Sequence, residues 1–217
     1  LMVMDVSDDA SVSSAAASFS TKFGATGSLH GIVNNAAIGF GLTVALCVNT
    51  NLYGVKRVCD SFTPFLVQDS GRVVNVASAS GPMFVAKLRS EDQPFFDIAT
   101  KATWNDLKAM CDKYSSKTAN DGDSYGFSKA CLNVYTIQLA ASFPNLLINS
   151  CTPGFIDTDM TRGMGATTPA SEGTKSVIHC MFGRAEEVGT GRYFGSDCIR
   201  SPLNRYRGPG DPAYEPN

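Results

Sequence analysis

Short apolar runs alternate along the chain with longer stretches of helical periodicity. Residues 1–6 are typical of the end of a buried strand, and Ser7-Asp8-Asp9 supplies an N-cap for an Ala/Ser-rich helix that runs to about Phe23. Further strands are predicted at 29–33, 72–78, 146–151 and 192–194, and further helices at 51–68, 125–142 and 169–182. Strands that alternate with helices predict an α/β fold, in which a parallel sheet carries helices on both faces.

Two regions interrupt this alternation. Residues 82–120 are polar and partly helical at 104–114, and they stand where a strand should pass quickly into the next helix. Residues 201–217 contain four prolines among glycines and charged residues and are expected to be irregular. We therefore expect one domain over 1–217, with an insertion at 82–120 and an irregular tail. The large aromatic residues of the insertion either line an apolar pocket or pack the insertion itself, and we favour packing for Phe84, Phe95, Phe96 and Trp104.

Composition and charge narrow the possible partners. The chain has 217 residues, of which 43% are hydrophobic and 18% charged, so it can bury a core and disorder is excluded as its main state. The 18 basic and 20 acidic side chains give a net charge of −2 without a clustered basic face, so we expect no nucleic-acid partner. The longest apolar runs, such as 42–48, are far shorter than a bilayer span, so we expect no membrane partner.

Cysteine and histidine usage argues against a metal centre. The seven cysteines contain no C-x-x-C pair, and the sequence has only two histidines, His30 and His179. We therefore expect no metal, and we expect buried thiols in a reducing compartment, the cytoplasm. Because Leu1 is not an initiator methionine, a targeting segment upstream of it stays open as an alternative.

The residues with chemical potential follow the ends of the predicted strands. Tyr125 and Lys129 are four positions apart and share a helix face, although this spacing alone also fits two solvated side chains. Ser78 ends a predicted strand, where open parallel sheets bind ligands, and a turn or helix cap is the alternative interpretation. Asn34 and Asn35 likewise follow a strand, where their amides either pin neighbouring strands or face a ligand.

Two further segments are ambiguous when taken alone. Asn51 lies in an apolar helical stretch, so a satisfied structural amide is the default interpretation. Residues 153–158 begin with Pro-Gly after a strand, and they either form a turn with a cap at Thr158 or wrap a cofactor headgroup. All these signals fall on one edge of one sheet, and together they are stronger than any single one.

The order of these motifs resembles the short-chain dehydrogenase/reductase family over nearly the whole chain. The resemblance rests on Asp5-Val6, Asn34-Asn35-Ala36, Asn51, Ser78, Tyr125-x-x-x-Lys129 and Pro153-Gly154 with Thr158. Residues 79–124 separate Ser78 from Tyr125, whereas most members have only about a dozen residues there. This separation is similar to that of monomeric carbonyl reductases, in which such an insertion covers the surface that others use to pair subunits. The resemblance therefore implies a monomer.

The resemblance implies NADP(H)-dependent reduction of a small-molecule ketone or aldehyde, with NAD left open. Tyr125 is then the general acid that protonates the carbonyl oxygen. Lys129 lowers the pKa of this phenol from its usual value of roughly 10 and holds the nicotinamide ribose. Ser78 hydrogen-bonds the substrate carbonyl, and Asn51 holds a water that passes protons to Lys129.

Four residues are implied at other parts of the cofactor. Asp5 and Val6 are expected to contact the adenine, Asn35 the adjoining ribose region, and the backbone of Ile156 the carboxamide.

The sequence also departs from the family. A Gly-rich turn between a first strand and a first helix is missing, and residues 24–27 have the wrong order, after a helix and before a strand. The chain opens at what would be the third strand, which implies a Rossmann-type sheet without its first βαβα portion. We therefore hypothesise a fragment that carries the catalytic half of a larger enzyme, whose activity as it stands is doubtful without that turn.

Two smaller departures and one alternative follow. Residues 36–50 form a shorter connection than usual, so we expect the helix with Asn51 to start late, and Ala37 replaces the family's usual glycine. The strand at 29–33 would be a bare apolar edge. The alternative hypothesis is thus a non-catalytic truncated paralogue that binds a partner through this edge and binds no dinucleotide. An epimerase or dehydratase is disfavoured by the insertion and by residues 158–160.

Overall fold

The computed structural model describes residues 1–98, 100–115 and 123–215. Residues 99 and 116–120 of the predicted insertion and residues 216–217 of the predicted tail lie outside the described residues. The strands are β1 (Gly31–Asn34), β2 (Arg72–Val76), β3 (Leu147–Cys151) and β4 (Tyr193–Phe194). The α-helices are α1 (Asp9–Phe23), α2 (Val44–Val48), α3 (Val55–Phe62), α4 (Ser80–Ala86), α5 (Trp104–Ser115), α6 (Ser124–Ser142), α7 (Ala170–Gly173), α8 (Lys175–Phe182) and α9 (Ala185–Val188).

The four strands form one parallel sheet in the order β1-β2-β3-β4. This arrangement confirms the predicted parallel α/β fold. β1 is an edge strand, and its Val33 is 43% exposed. Since the strands are parallel, the carboxyl ends of β1, β2 and β3 meet at one edge of the sheet, and the loops that follow them lie side by side.

The sheet separates two apolar clusters, as alternation along each strand requires. Val73 and Ile148 face the main core, which also contains side chains of α1, α3 and α6. Val74 of β2 and Cys151 of β3 face the opposite side and belong to a smaller cluster that includes Cys180 of α8. Helices therefore cover both faces, and the long β-branched run of β2 is explained by burial on both sides.

Residues 1–6 do not form the predicted strand. Leu1 and Val3 are exposed, and the segment instead docks on α3, where Arg57 Nη1 donates to the Val6 carbonyl at 3.4 Å. Gly54 makes this docking possible, because a Cβ there would lie 3.0 Å from the same carbonyl oxygen. An extended segment without a neighbouring strand has no ladder to join, so a strand prediction from apolar residues alone is wrong here.

Two helices differ from their predicted bounds. The helical segment with Asn51 begins at Val44 and passes through a π-helical turn at Asn49–Gly54, so the expected late start is wrong. Thr43 provides the early start, since its hydroxyl caps the Leu46 amide at 3.3 Å. The predicted helix at 169–182 is divided into α7 and α8, which meet at Thr174.

The segment between β2 and α6 packs onto the outer face of α6. Phe84 lies edge-to-face against Phe127 of α6, with ring centroids 5.6 Å apart, and Trp104 lies edge-to-face against Tyr135 at 5.8 Å. Gln138 Nε2 donates to the Ala102 carbonyl at 2.7 Å. α6 is consequently buried along most of its length. No helix in the described part of the chain combines the length and apolar character needed to cross a bilayer.

Candidate active site

Tyr125 lies at the start of α6, close to the loop that follows β2. The side chain is 7% exposed, and burial raises the pKa of its phenol because the phenolate would lose its hydration. A hydrogen bond between the Tyr125 and Ser78 side chains acts in the opposite direction. Ser78 also turns the chain into α4, since its Oγ accepts the Ser80 amide at 3.2 Å. The loop after β2 therefore places a hydroxyl directly at the phenol.

Lys129 is buried one helical turn further along α6. Only 2% of the residue is exposed, and burial lowers the pKa of its ammonium to about 8. Its Nζ donates to the Val76 carbonyl at 2.8 Å and lies 5.6 Å from the centroid of the Tyr125 ring. The end of β2 thus holds the ammonium beside the phenol, at the carboxyl edge of the sheet.

The expected lowering of the Tyr125 pKa by Lys129 is not found. Burial is the largest cause acting on the phenol and raises its pKa, and Ser78 rather than Lys129 opposes that rise. Two side chains in one buried helix turn both lose hydration, and the sequence spacing gives no measure of that loss. The phenol is consequently in its protonated form at neutral pH.

Asn51 acts as a buried link between the loop after β1 and α6. Its Oδ1 accepts the Ile38 amide at 2.9 Å, and its Nδ2 donates to the Ile38 carbonyl and to Ser128 Oγ, each at 3.0 Å. Ser128 in turn donates to the Tyr125 carbonyl at 2.8 Å. The side-chain amide of Asn51 is therefore occupied by protein groups, which fits the structural interpretation of this residue.

The two adjacent asparagines after β1 have different roles. Asn34 is buried and donates to Asn75 Oδ1 at 2.8 Å, so it pins β1 to β2. Asn35 is exposed at the carboxyl end of β1. The sequence allowed these amides either to pin neighbouring strands or to face a ligand. The amide of Asn34 pins the strands, whereas the side chain of Asn35 is free to face a ligand.

The residues expected at the adenine and carboxamide are not gathered around Tyr125. Asp5 is exposed, and its carboxylate accepts from the Ser7 amide at 2.8 Å and from the Ser7 hydroxyl at 2.7 Å, which lowers its pKa. Val6 packs against Gly54 at the start of α3. Ile156 is buried against Gly173, in the loop that follows β3. Within the described residues, no group of three or more His, Cys, Asp or Glu side chains is placed to hold a metal.

Comparisons with known proteins identify the family of this chain. (+)-Neomenthol dehydrogenase of Arabidopsis thaliana is 30% identical over an alignment of 228 positions, which covers 88% of this chain and 75% of that protein. The chain belongs to the short-chain dehydrogenase/reductase family. The family described as short chain dehydrogenase also matches residues 1–89 directly. Membership confirms the resemblance expected from the motif order and places the chain among oxidoreductases.

Two further relatives support the family assignment. Carbonyl reductase (NADPH) 3 of Mus musculus is 29% identical over an alignment of 175 positions, which covers 70% of this chain and 62% of that enzyme. The solved structure of salutaridine reductase from Papaver somniferum superposes with a TM-score of 0.72 at 26% identity, covering 88% of this chain and 80% of that one. The chain thus spans three quarters of the Arabidopsis relative and less than two thirds of the mouse relative.

Nothing in the sequence pattern indicated two side chains that lie near Tyr125 and Lys129. Phe40 lies against Tyr125, with ring centroids 4.6 Å apart and planes inclined at 53°. Cys47 of α2 is fully buried, donates to the Gly39 carbonyl at 3.7 Å, and interacts electrostatically with Lys129. Both residues belong to the short connection between Asn35 and Asn51, where no repeating spacing indicates a contact with α6.

Proposed function

We propose that this chain carries the catalytic part of a carbonyl reductase-like enzyme that reduces a ketone or aldehyde with NADP(H). The observation that carries the proposal is the convergence of Ser78, Tyr125 and Lys129 at the carboxyl edge of the sheet. These side chains come from two separate elements, and a phenol, a hydroxyl and an ammonium together suit proton transfer to a carbonyl oxygen.

Each of the three groups has a physical role in that transfer. Tyr125 holds the proton, because burial keeps its pKa above the ordinary value. Ser78 orients the substrate oxygen next to the phenol, since its hydroxyl already interacts with Tyr125. Lys129, with a pKa of about 8, is mostly charged at neutral pH and would hold the nicotinamide ribose beside the phenol. Asn51 positions α6 through Ser128.

In this proposal the nicotinamide end of a dinucleotide lies at this edge of the sheet, and the adenine end lies at residues 1–6. Tyr125 and Lys129 would hold the nicotinamide ribose, and the backbone at Ile156 would hold the carboxamide; the cofactor supplies hydride when bound. Asp5 is already hydrogen-bonded to Ser7, so contact with adenine requires that pair to open or to share its carboxylate. The preference for NADP(H) over NAD(H) rests on the resemblance and on the name of the mouse relative.

The test is NADPH-dependent carbonyl reduction by the purified chain. Tyr125→Phe should lower the rate by at least about 100-fold, because a general acid typically contributes a factor of that order or more. Tyr135→Phe is the matched control, since it makes the same change on the same helix where the ring packs against Trp104, outside the site. Its rate should stay within about twofold of wild type, because the removed hydroxyl plays no part in proton transfer.

Isothermal titration of NADPH separates binding from chemistry. We expect micromolar binding by wild type and an affinity for Tyr125→Phe within about threefold of it, because only the reacting hydroxyl is removed. If a folded wild-type chain bound no NADPH, the proposal would fail and a non-catalytic binding role would take its place.

We also propose that the chain is monomeric and cytoplasmic. The outer face of α6 is covered by the segment around Phe84 and Trp104, which leaves little of it for a second subunit. All seven cysteines are free thiols and six are buried, which suits a reducing compartment. The short-chain dehydrogenase/reductase domain is proposed to span 1–217, with its insertion at 82–120.

A further inference from the structure

A single aromatic side chain stands over the ring of Tyr125. Phe40 lies between Gly39 and Gly41, and its ring centroid is 4.6 Å from that of Tyr125. The residue is 40% exposed, so part of the ring is open to an approaching molecule. A partly exposed phenyl ring against the ring of Tyr125 offers apolar area beside the proposed general acid.

A second apolar side chain lies against Gly39, the residue before Phe40. Met160, from the loop after β3, packs so closely on Gly39 that a Cβ there would lie 2.8 Å from Met160 Cγ. Met160 is 38% exposed and has a flexible thioether that adapts to irregular shapes. Loops from two different strands therefore meet where Met160 packs on the residue that precedes Phe40.

The Phe40 segment is anchored on both sides. Ile38 donates one hydrogen bond to Asn51 and accepts another from it, and the Gly39 carbonyl accepts from Cys47 at 3.7 Å. On the other side Thr43 caps α2. Gly41 adopts a φ of 78°, a left-handed conformation that turns the chain between these anchors. The ring is thus presented by a fixed backbone, as expected for a wall of a binding pocket.

We propose that Phe40, supported by Met160, is a specificity-determining residue that packs the non-reacting part of the substrate. The inference rests on the proposed function and adds a substrate class: carbonyl compounds in which the carbonyl lies in or next to a bulky apolar ring system. Small aliphatic ketones reach Tyr125 without covering Phe40, so they gain little from it. Apolar contact area in the transition state is what distinguishes the two classes.

The test compares two ketones in wild type and Phe40→Ala. The value of kcat/KM for a decalone, a fused bicyclic ketone, should fall about tenfold, because an aromatic contact contributes a factor of that order. The value for butanone should change less than about twofold, because butanone leaves the ring uncovered. Phe40→Leu should recover part of the loss. Phe143→Ala is the matched control, since Phe143 is also 40% exposed but follows the far end of α6.

Every outcome of the two-ketone comparison decides the inference. A selective loss for the decalone supports the inference, whereas an equal loss for both ketones, or no loss, overturns it. If wild type reduces neither ketone, the proposed function fails for these substrates, and calorimetric titration with the decalone then decides the inference separately. Weaker decalone binding by Phe40→Ala than by wild type and Phe143→Ala supports it; equal binding, or none by wild type, overturns it.

Discussion

Replacement of Lys129 by methionine tests the proposed site most sharply, because burial and function make opposite demands on this side chain. The residue is 2% exposed, and burial lowers the pKa of its ammonium from 10.5 to about 8. The difference between these pKa values corresponds to about 3 kcal/mol, since one pH unit is worth about 1.4 kcal/mol. A charged Lys129 at neutral pH therefore destabilises the folded chain.

Lys129→Met keeps most of the aliphatic stem and removes the charge. It also removes the hydrogen bond to the Val76 carbonyl, which contributes about 1 kcal/mol net. We therefore expect the variant to be more stable than wild type by about 2 kcal/mol at pH 7, which is the remainder of the two effects. It should lose carbonyl reduction, because the ammonium proposed to hold the nicotinamide ribose beside Tyr125 is then absent.

The expected stability difference depends on pH. Folding lowers the pKa of Lys129, so between about pH 8 and 10.5 the unfolded chain holds more protons than the folded chain. Wild-type stability consequently rises with pH in this window, and the penalty is fully present only below it. Lys129→Met lacks this rise, so its advantage should shrink steadily from pH 7 towards pH 10. Other titrating groups are shared by both proteins and cancel in the difference.

Urea unfolding at several pH values between pH 7 and pH 10 measures these differences. Lys101→Met is the control, since residue 101 is exposed and the same change there should alter stability by less than about 0.5 kcal/mol. A Lys129→Met variant that is less stable than wild type at pH 7 would refute the reasoning. An advantage that is independent of pH would also refute it, because burial of a charge could not then be its cause.

Two further predictions concern stability. Asn51→Ala removes three hydrogen bonds and should lower the free energy of unfolding by about 3 kcal/mol in urea, whereas the exposed Asn35→Ala should have little effect; a loss below about 1 kcal/mol would contradict this. Arg207→Met leaves the Asp197 carboxylate without its bidentate partner and should cost about 3 kcal/mol in thermal unfolding, with partial recovery in Arg207→Met/Asp197→Leu. Burial acts to raise the pKa of Asp197, but the Arg207 hydrogen bond acts in the opposite direction, and the pKa lies below its ordinary value. The stability that this pair contributes should therefore be lost as the pH falls through the lowered pKa.

The sheet and the long helix α6 were predictable because their signals are local. The run at 72–78 is apolar on both faces, as a strand buried on both sides requires, and β2 forms there. By contrast, residues 1–6 have a similar apolar character but no strand beside them, so they dock on α3 instead. Strand formation depends on a neighbour, and composition within one segment gives no information about that neighbour.

Proximity in the candidate site was predictable, but the environment of each group was not. Topology alone brings Ser78 and Tyr125 to one edge of the sheet, because Ser78 follows the parallel strand β2 and Tyr125 lies at the start of α6. The difference between Asn34, which pins β2, and its exposed neighbour Asn35 depends on side-chain direction at the end of β1. Phe40 escaped notice because its contact with Tyr125 joins two distant segments through a turn without a periodic pattern.

Burial links the stability and the proposed chemistry of this site. The same loss of hydration raises the pKa of Tyr125 and lowers that of Lys129, so folding opposes charge on both groups. Tyr125 therefore keeps its proton until a substrate oxygen arrives, and the charge on Lys129 is kept at a cost in folding free energy. In the proposed function this charge holds the nicotinamide ribose, so one buried ammonium lowers stability and supports reduction at the same time. For this reason the cost of burying Lys129 and the loss of reduction in its methionine variant should appear together.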